Sequence, residues 1–187
     1  MQIRLDAYTP GAAVATDLVN TAPEVVTSTG EALPDPAALR RFLSERGLPA
    51  ADPTAEDVRA VHELRRTLRE LLEEPDAAVA VARAGALTAA TGTGPVLERD
   101  DGGNWHWAVR PRPSAGPADL LALVTATALQ SVIHTLGPGR FRQCASPTCA
   151  GLFVDTSRSG KRRYCVPEVC GNRVNVATYR ARRRAGT

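Results

Sequence analysis

The chain has 187 residues, 43% hydrophobic and 23% charged, with aromatics scarce at 4%. That length suits one ordinary domain plus a small module, with a core built from Ala, Val and Leu. No apolar run reaches the roughly 18 residues of a membrane span, and the start lacks the basic end and apolar core of a signal peptide. A cytoplasmic protein without membrane segments is therefore expected.

In chain order, a short strand is expected at 2–6, a helix around 11–20, and a loop over 22–34. Asp35 is placed to cap a helix opened by Pro36, with Leu39, Phe42 and Leu43 on one face and Gly47 as its stop. Thr54 reads as the next N-cap, with Glu56 and Asp57 favouring the helix dipole. Val58, Val61, Leu64, Leu68, Leu71 and Leu72 then recur at helical spacing up to Pro75. Asp76 caps an Ala-rich helix to about Ala90. Val96–Arg99 and Asn104–Arg110 flank Asp100-Asp101-Gly102-Gly103 as a hairpin, with Trp105, Trp107 and Val109 on one face. Asp119 begins a long apolar helix to Gly137, and Gly137-Pro138-Gly139 is the natural boundary. The lone histidines His62, His106 and His134 read as structural. No nucleophile–base order, phosphate loop or metal-helix motif is present in 1–139, so an enzyme is not expected.

Net charge +3 conceals a division. Residues 140–187 hold 11 Arg/Lys and two acids, Asp155 and Glu168, for +9; residues 1–139 carry −6. Such asymmetry points to two modules, the basic one facing a polyanion.

The basic module also contains all four cysteines: Cys144-x4-Cys149, fifteen residues, then Cys165-x4-Cys170. Two close pairs joined by a hairpin match a tetrahedral zinc site. The alternatives are four buried thiols or two disulfides. Zinc is favoured because 48 residues with so few large apolar side chains need a staple to fold. Four thiolates leave no open position for water, so the Zn2+ would be structural. Phe153 and Tyr164 are expected to form the finger's small core, with Leu152–Val154 as a strand and a helix from Cys170 to about Arg184. On that helix Val174, Ala177 and Ala181 would pack inward. Arg173, Arg180 and Arg184 line an adjacent strip, while Asn172, Asn175, Tyr179 and Arg183 look away. Arg binds phosphates or guanine edges and Asn pairs with adenine. The expected nucleic-acid contacts are therefore Arg162, Arg163, Arg173, Asn175, Arg180, Arg183 and Arg184.

The stretch from Phe153 to Cys165, the run Cys170-Gly171-Asn172-Arg173 and the ending Val176–Arg184 resemble the CGNR zinc finger across about residues 140–184. The resemblance implies zinc ligation by Cys144, Cys149, Cys165 and Cys170, and DNA binding. Tyr164 stands where that family usually has Trp, Val166-Pro167 where Ser-Met is common, and Asn175 where Lys is frequent. Asp17-Leu18-Val19-Asn20-Thr21, the Pro36–Leu48 helix and the 119–136 helix are similar to the ABATE domain that usually precedes this finger. Proteins with this pairing are described as bacterial stress-induced transcription regulators. Asn20 and Thr21 read either as a ligand feature or as a helix C-cap, and the cap is favoured.

The expected fold is mainly α (α+β). A helical domain with a small β-hairpin spans 1–139, and a four-cysteine finger ending in a basic helix spans 140–187. The expected function is a zinc-dependent DNA-binding regulator whose N-terminal domain senses a small-molecule ligand or mediates association as a homodimer. The alternative is a zinc-stabilised protein- or RNA-interaction module.

Overall fold

A computed structural model describes residues 3–25, 30–49 and 52–185; the side chains of Arg184 and Ala185 lie outside the described set. The chain runs β1 (Ile3–Arg4), α1 (Tyr8–Val19), α2 (Pro36–Ser44), α3 (Ala55–Glu73), α4 (Ala77–Thr91), β2 (Gly92–Arg99), β3 (Trp105–Pro111), α5 (Pro117–Leu136), β4 (Phe141–Gln143), β5 (Leu152–Val154) and α6 (Asn172–Ala185). The fold is mainly α with two small antiparallel sheets, ordered β1–β3–β2 and β4–β5.

The caps are legible in the local chemistry. Asp35 accepts the Ala38 N–H at 2.8 Å, and Thr54 and Asp57 cap each other reciprocally. Asp76 accepts the N–H of Ala78. Asp119 does not begin α5. Pro117 takes the first position, and Asp119, one turn in, accepts the Gly116 N–H at 3.3 Å. The first strand covers only Ile3–Arg4 of the expected 2–6, Gln2 lying outside the described residues, and α1 starts at Tyr8, earlier than expected.

α5 is the central helix. Every residue from Leu120 to Leu129 is buried, and it packs against α1, α3 and α4. By length and composition α5 could cross a membrane, but its apolar surface is consumed by these neighbours. Gly11 marks the closest approach of α1: a β-carbon there would lie 2.7 Å from Ala128 Cβ and 2.8 Å from the Val124 carbonyl. The core joins Leu18, Val19, Leu39, Leu43, Val61, Leu68, Leu71, Leu121 and Leu129. It also includes Leu152 and Val154 from β5, beyond the expected boundary at 139.

In the first sheet Trp105 and Trp107 share the expected face and remain 59% and 53% exposed, whereas Val109 on the same face is buried. Asp100 organises the hairpin turn, accepting the N–H groups of Gly102 and Asn104.

Candidate metal centre and nucleic-acid interface

The second sheet places two of the four cysteines. β4 leads into Cys144, and the chain returns through Cys149 and Gly151 to β5. The Cys144 N–H donates to the Gly151 carbonyl at 2.8 Å and the Cys149 N–H to the Ser146 carbonyl at 3.0 Å, which closes the first knuckle. The turn back is built on Asp155, a fully buried carboxylate. It accepts the Ser157 N–H and hydroxyl and the Arg162 N–H. Burial alone would raise the Asp155 pKa, but these donors outweigh it and hold the carboxyl below its usual range. The second pair is set by a π-helical turn, Pro167–Gly171, in which the Cys170 N–H donates to Val166 at 2.8 Å.

All four sulfur atoms lie within 4.8 Å of one another and all four residues are buried. The Cys149–Cys165 and Cys165–Cys170 sulfur separations are both 3.7 Å. A zinc ion with Zn–S bonds of about 2.3 Å requires tetrahedral edges of about 3.8 Å. The donor set therefore fits, and it is closed. Burial, reinforced by neighbouring thiols, pushes the Cys165 thiol far above its ordinary value and Cys170 up to about 11. Without a cation Cys165 and Cys170 retain their protons, which a bound dication displaces. The cofactor is a structural zinc. As expected, Phe153 and Tyr164 line the cluster.

The N-terminal segment completes the site's shell, a feature the sequence reading missed. Ala22 and Val25 pack into the cysteine cluster. Asn20 is the C-cap of α1, but its side chain does more: Nδ2 donates to the Leu152 carbonyl at 2.7 Å, and the Leu152 N–H donates to Oδ1 at 3.0 Å. The Val154 N–H donates to Thr16 Oγ1 at 3.0 Å, and Arg69 donates to the carbonyls of Val19 and Ala150. One side of β5 pairs with β4, and its other side is satisfied by α1 side chains. The loop after α1 is fastened to α3 by Arg65, whose guanidinium bonds both Glu31 oxygens at 2.7 Å and Thr21 at 3.0 Å.

The predicted nucleic-acid residues separate into two groups. Arg162 is engaged inside the finger: it donates to the carbonyls of Tyr164 and Cys165 and lies 4.9 Å from the Phe153 ring centroid. Arg163, Arg173, Asn175, Arg180 and Arg183 are exposed; the Arg184 side chain lies outside the described residues. The inward packing expected of Ala177 and Ala181 does not occur. Every residue from Asn175 to Arg183 is exposed, and Val174 is half-buried. α6 follows directly on the π-turn Pro167–Gly171, and among the described residues its small-residue face stays exposed. The helix carries Arg173, Arg180, Arg182, Arg183 and Arg184 and no acid.

Residues 140–183 match the CGNR zinc finger model. Residues 12–136 match the ABATE model, described as "Putative stress-induced transcription regulator". No curated protein matches the chain. Both matched families are regulatory or zinc-finger families, not enzyme families. The ABATE match covers two-thirds of the chain, so the protein belongs to the ABATE family and carries a CGNR zinc finger behind that domain.

Proposed function

We propose that the chain is a cytoplasmic, zinc-dependent DNA-binding transcription regulator without enzymatic activity. Its ABATE module, 1–139, senses a ligand or mediates association, and its finger, 140–187, docks on DNA. The observation that carries this reading is α6, a basic helix whose residues from Asn175 to Arg183 are all exposed. An isolated helix of 14 residues is marginal in water. It gains stability from a polyanion that neutralises its arginines, and its diameter of about 10–12 Å suits the major groove. Arg173, Arg180, Arg183 and Arg184 hold phosphates or base edges, aided by Arg163 and Asn175. Arg162 positions the knuckle from inside. A symmetric dimer would double the contacts of one small finger.

The test is fluorescence anisotropy of the zinc-loaded protein with a duplex from upstream of its own gene and a scrambled duplex. Arg180→Ala should weaken binding and reduce the salt slope by about one. Unchanged affinity and slope would refute the assignment. Tyr179, 61% exposed, favours a second reading in which an aromatic ring stacks on RNA bases or a protein surface. Competition between duplex DNA and RNA separates the two.

A further inference from the structure

We propose that the cleft between α5 and the β2–β3 hairpin binds a neutral, planar aromatic molecule carrying an N–H or O–H on one edge. This deepens the sensing half of the regulator reading and rests on it. The cleft measures about 610 Å3, within the range of small-molecule sites. One wall is Trp107, Pro95 and Val109. Trp107 is 53% exposed in a chain with only two tryptophans, which leaves an indole face available for stacking.

The opposite wall is chemically different. α5 is the apolar core helix, yet Thr127, Gln130, Ser131 and His134 line the cleft at i, i+3, i+4 and i+7. That spacing makes one polar stripe, facing the cleft rather than bulk solvent. Two of its members have unused capacity. Thr127 is 2% exposed, and among the described residues its buried hydroxyl has no hydrogen-bond partner. Gln130 donates its amide to Thr88 at 2.9 Å, while no described residue donates to its Oε1. An unpaired buried hydroxyl is a standing cost to folding. A ligand edge that donates to this stripe would remove it.

Charge narrows the class. Among the described residues no Lys or Arg lines the cleft, whereas Asp6 does. The Asp6 carboxylate is paired with Arg4 at 3.0 and 2.7 Å, so it adds little net charge, and among the described residues the cleft offers an anionic ligand no Lys or Arg partner. Phosphorylated and sulfonated ligands are disfavoured.

The test uses zinc-loaded, 15N-labelled full-length protein, 2-naphthol as probe and naphthalene-2-sulfonate as its anionic counterpart. At about 1 mM, 2-naphthol should shift the Trp107 indole N–H signal saturably, more than that of Trp105, and the sulfonate should leave both in place. By calorimetry, Trp107→Ala should weaken 2-naphthol about tenfold. Thr127→Val should weaken it several-fold while raising Tm, because the variant deletes an unsatisfied hydroxyl. No saturable Trp107 shift, equal binding of the sulfonate, or unchanged affinity in both variants would overturn the proposal. DNA anisotropy on the same samples keeps the readings separate: lost DNA binding with an intact Trp107 response would sink the regulator and leave the cleft standing.

Discussion

Asn20→Ala is the most informative single change. It removes two hydrogen bonds to one residue, at 2.7 and 3.0 Å, and Leu152 is only 2% exposed. The Leu152 N–H and C=O would be left in the interior without partners, at about 1–3 kcal/mol each. Some relaxation is expected because Asn20 itself is half-buried, so about 2–3 kcal/mol is the reasonable total. For a chain of this size that lowers Tm by about 4–12 °C. Asn20→Asp distinguishes a specific clamp from mere packing. The aspartate keeps the acceptor for the Leu152 N–H but replaces the donor with an oxygen facing the Leu152 carbonyl. It also adds negative charge beside four thiolates. It should therefore be at least as damaging as alanine despite equal size. The assays are thermal melting and zinc release to a chromophoric chelator, both on full-length protein. If Asn20→Ala lowers Tm by less than about a degree and leaves zinc release unchanged, the clamp contributes nothing and the reasoning fails.

Two further changes probe the same region. In Gly151→Ala the new methyl would lie 2.7 Å from Cys165 Sγ and 3.1 Å from both Cys149 Sγ and Asn20 Oδ1, so zinc affinity should fall about 10–100-fold; chelator competition showing wild-type affinity would refute the crowding argument. The Arg65 guanidinium, aided by the Leu33 N–H, holds the Glu31 carboxyl below its usual range. A lowered folded pKa stabilises above the ordinary carboxylate value of about 4.3 and is lost as pH falls through the folded value. The stability gap between wild type and Glu31→Gln should thus be full at pH 7 and close in strongly acid solution; a gap independent of pH in urea titrations would contradict the ion pair.

Much of this organisation is visible in local sequence. The Thr54 cap and the spacing of Val58 through Leu72 are periodic signals within one helix, and the cysteine spacing is a short-range constraint. Other features are not local. β4 is three residues, Phe141–Gln143, too short for alternation to register. Leu152-Phe153-Val154 reads as the finger's own strand, and Phe153 does join the cysteines, but Leu152 and Val154 point into the helical core. The Asn20 contact spans 132 residues, so sequence shows only the cap and not the clamp. Val174, Ala177 and Ala181 do lie at amphipathic spacing, but whether such a face is covered depends on where the preceding turn aims the helix.

The finger is thus two mechanical parts. Its β-hairpin and cysteines are held by Thr16, Asn20, Ala22, Val25 and Arg69, so they move with the helical body. Its last helix extends from that body through the π-turn at Cys170. The mount fixes where this exposed basic helix starts. The polar stripe on α5 ends at the turn that leads into β4, so a ligand in the cleft would act on the mount and not on α6 itself. Any effect of such a ligand on DNA affinity must then appear reciprocally, with DNA changing ligand affinity by the same factor. A ligand competing directly for α6 would show no such limit: apparent DNA affinity would keep falling as its concentration rises, whereas coupling through the body levels off at that factor.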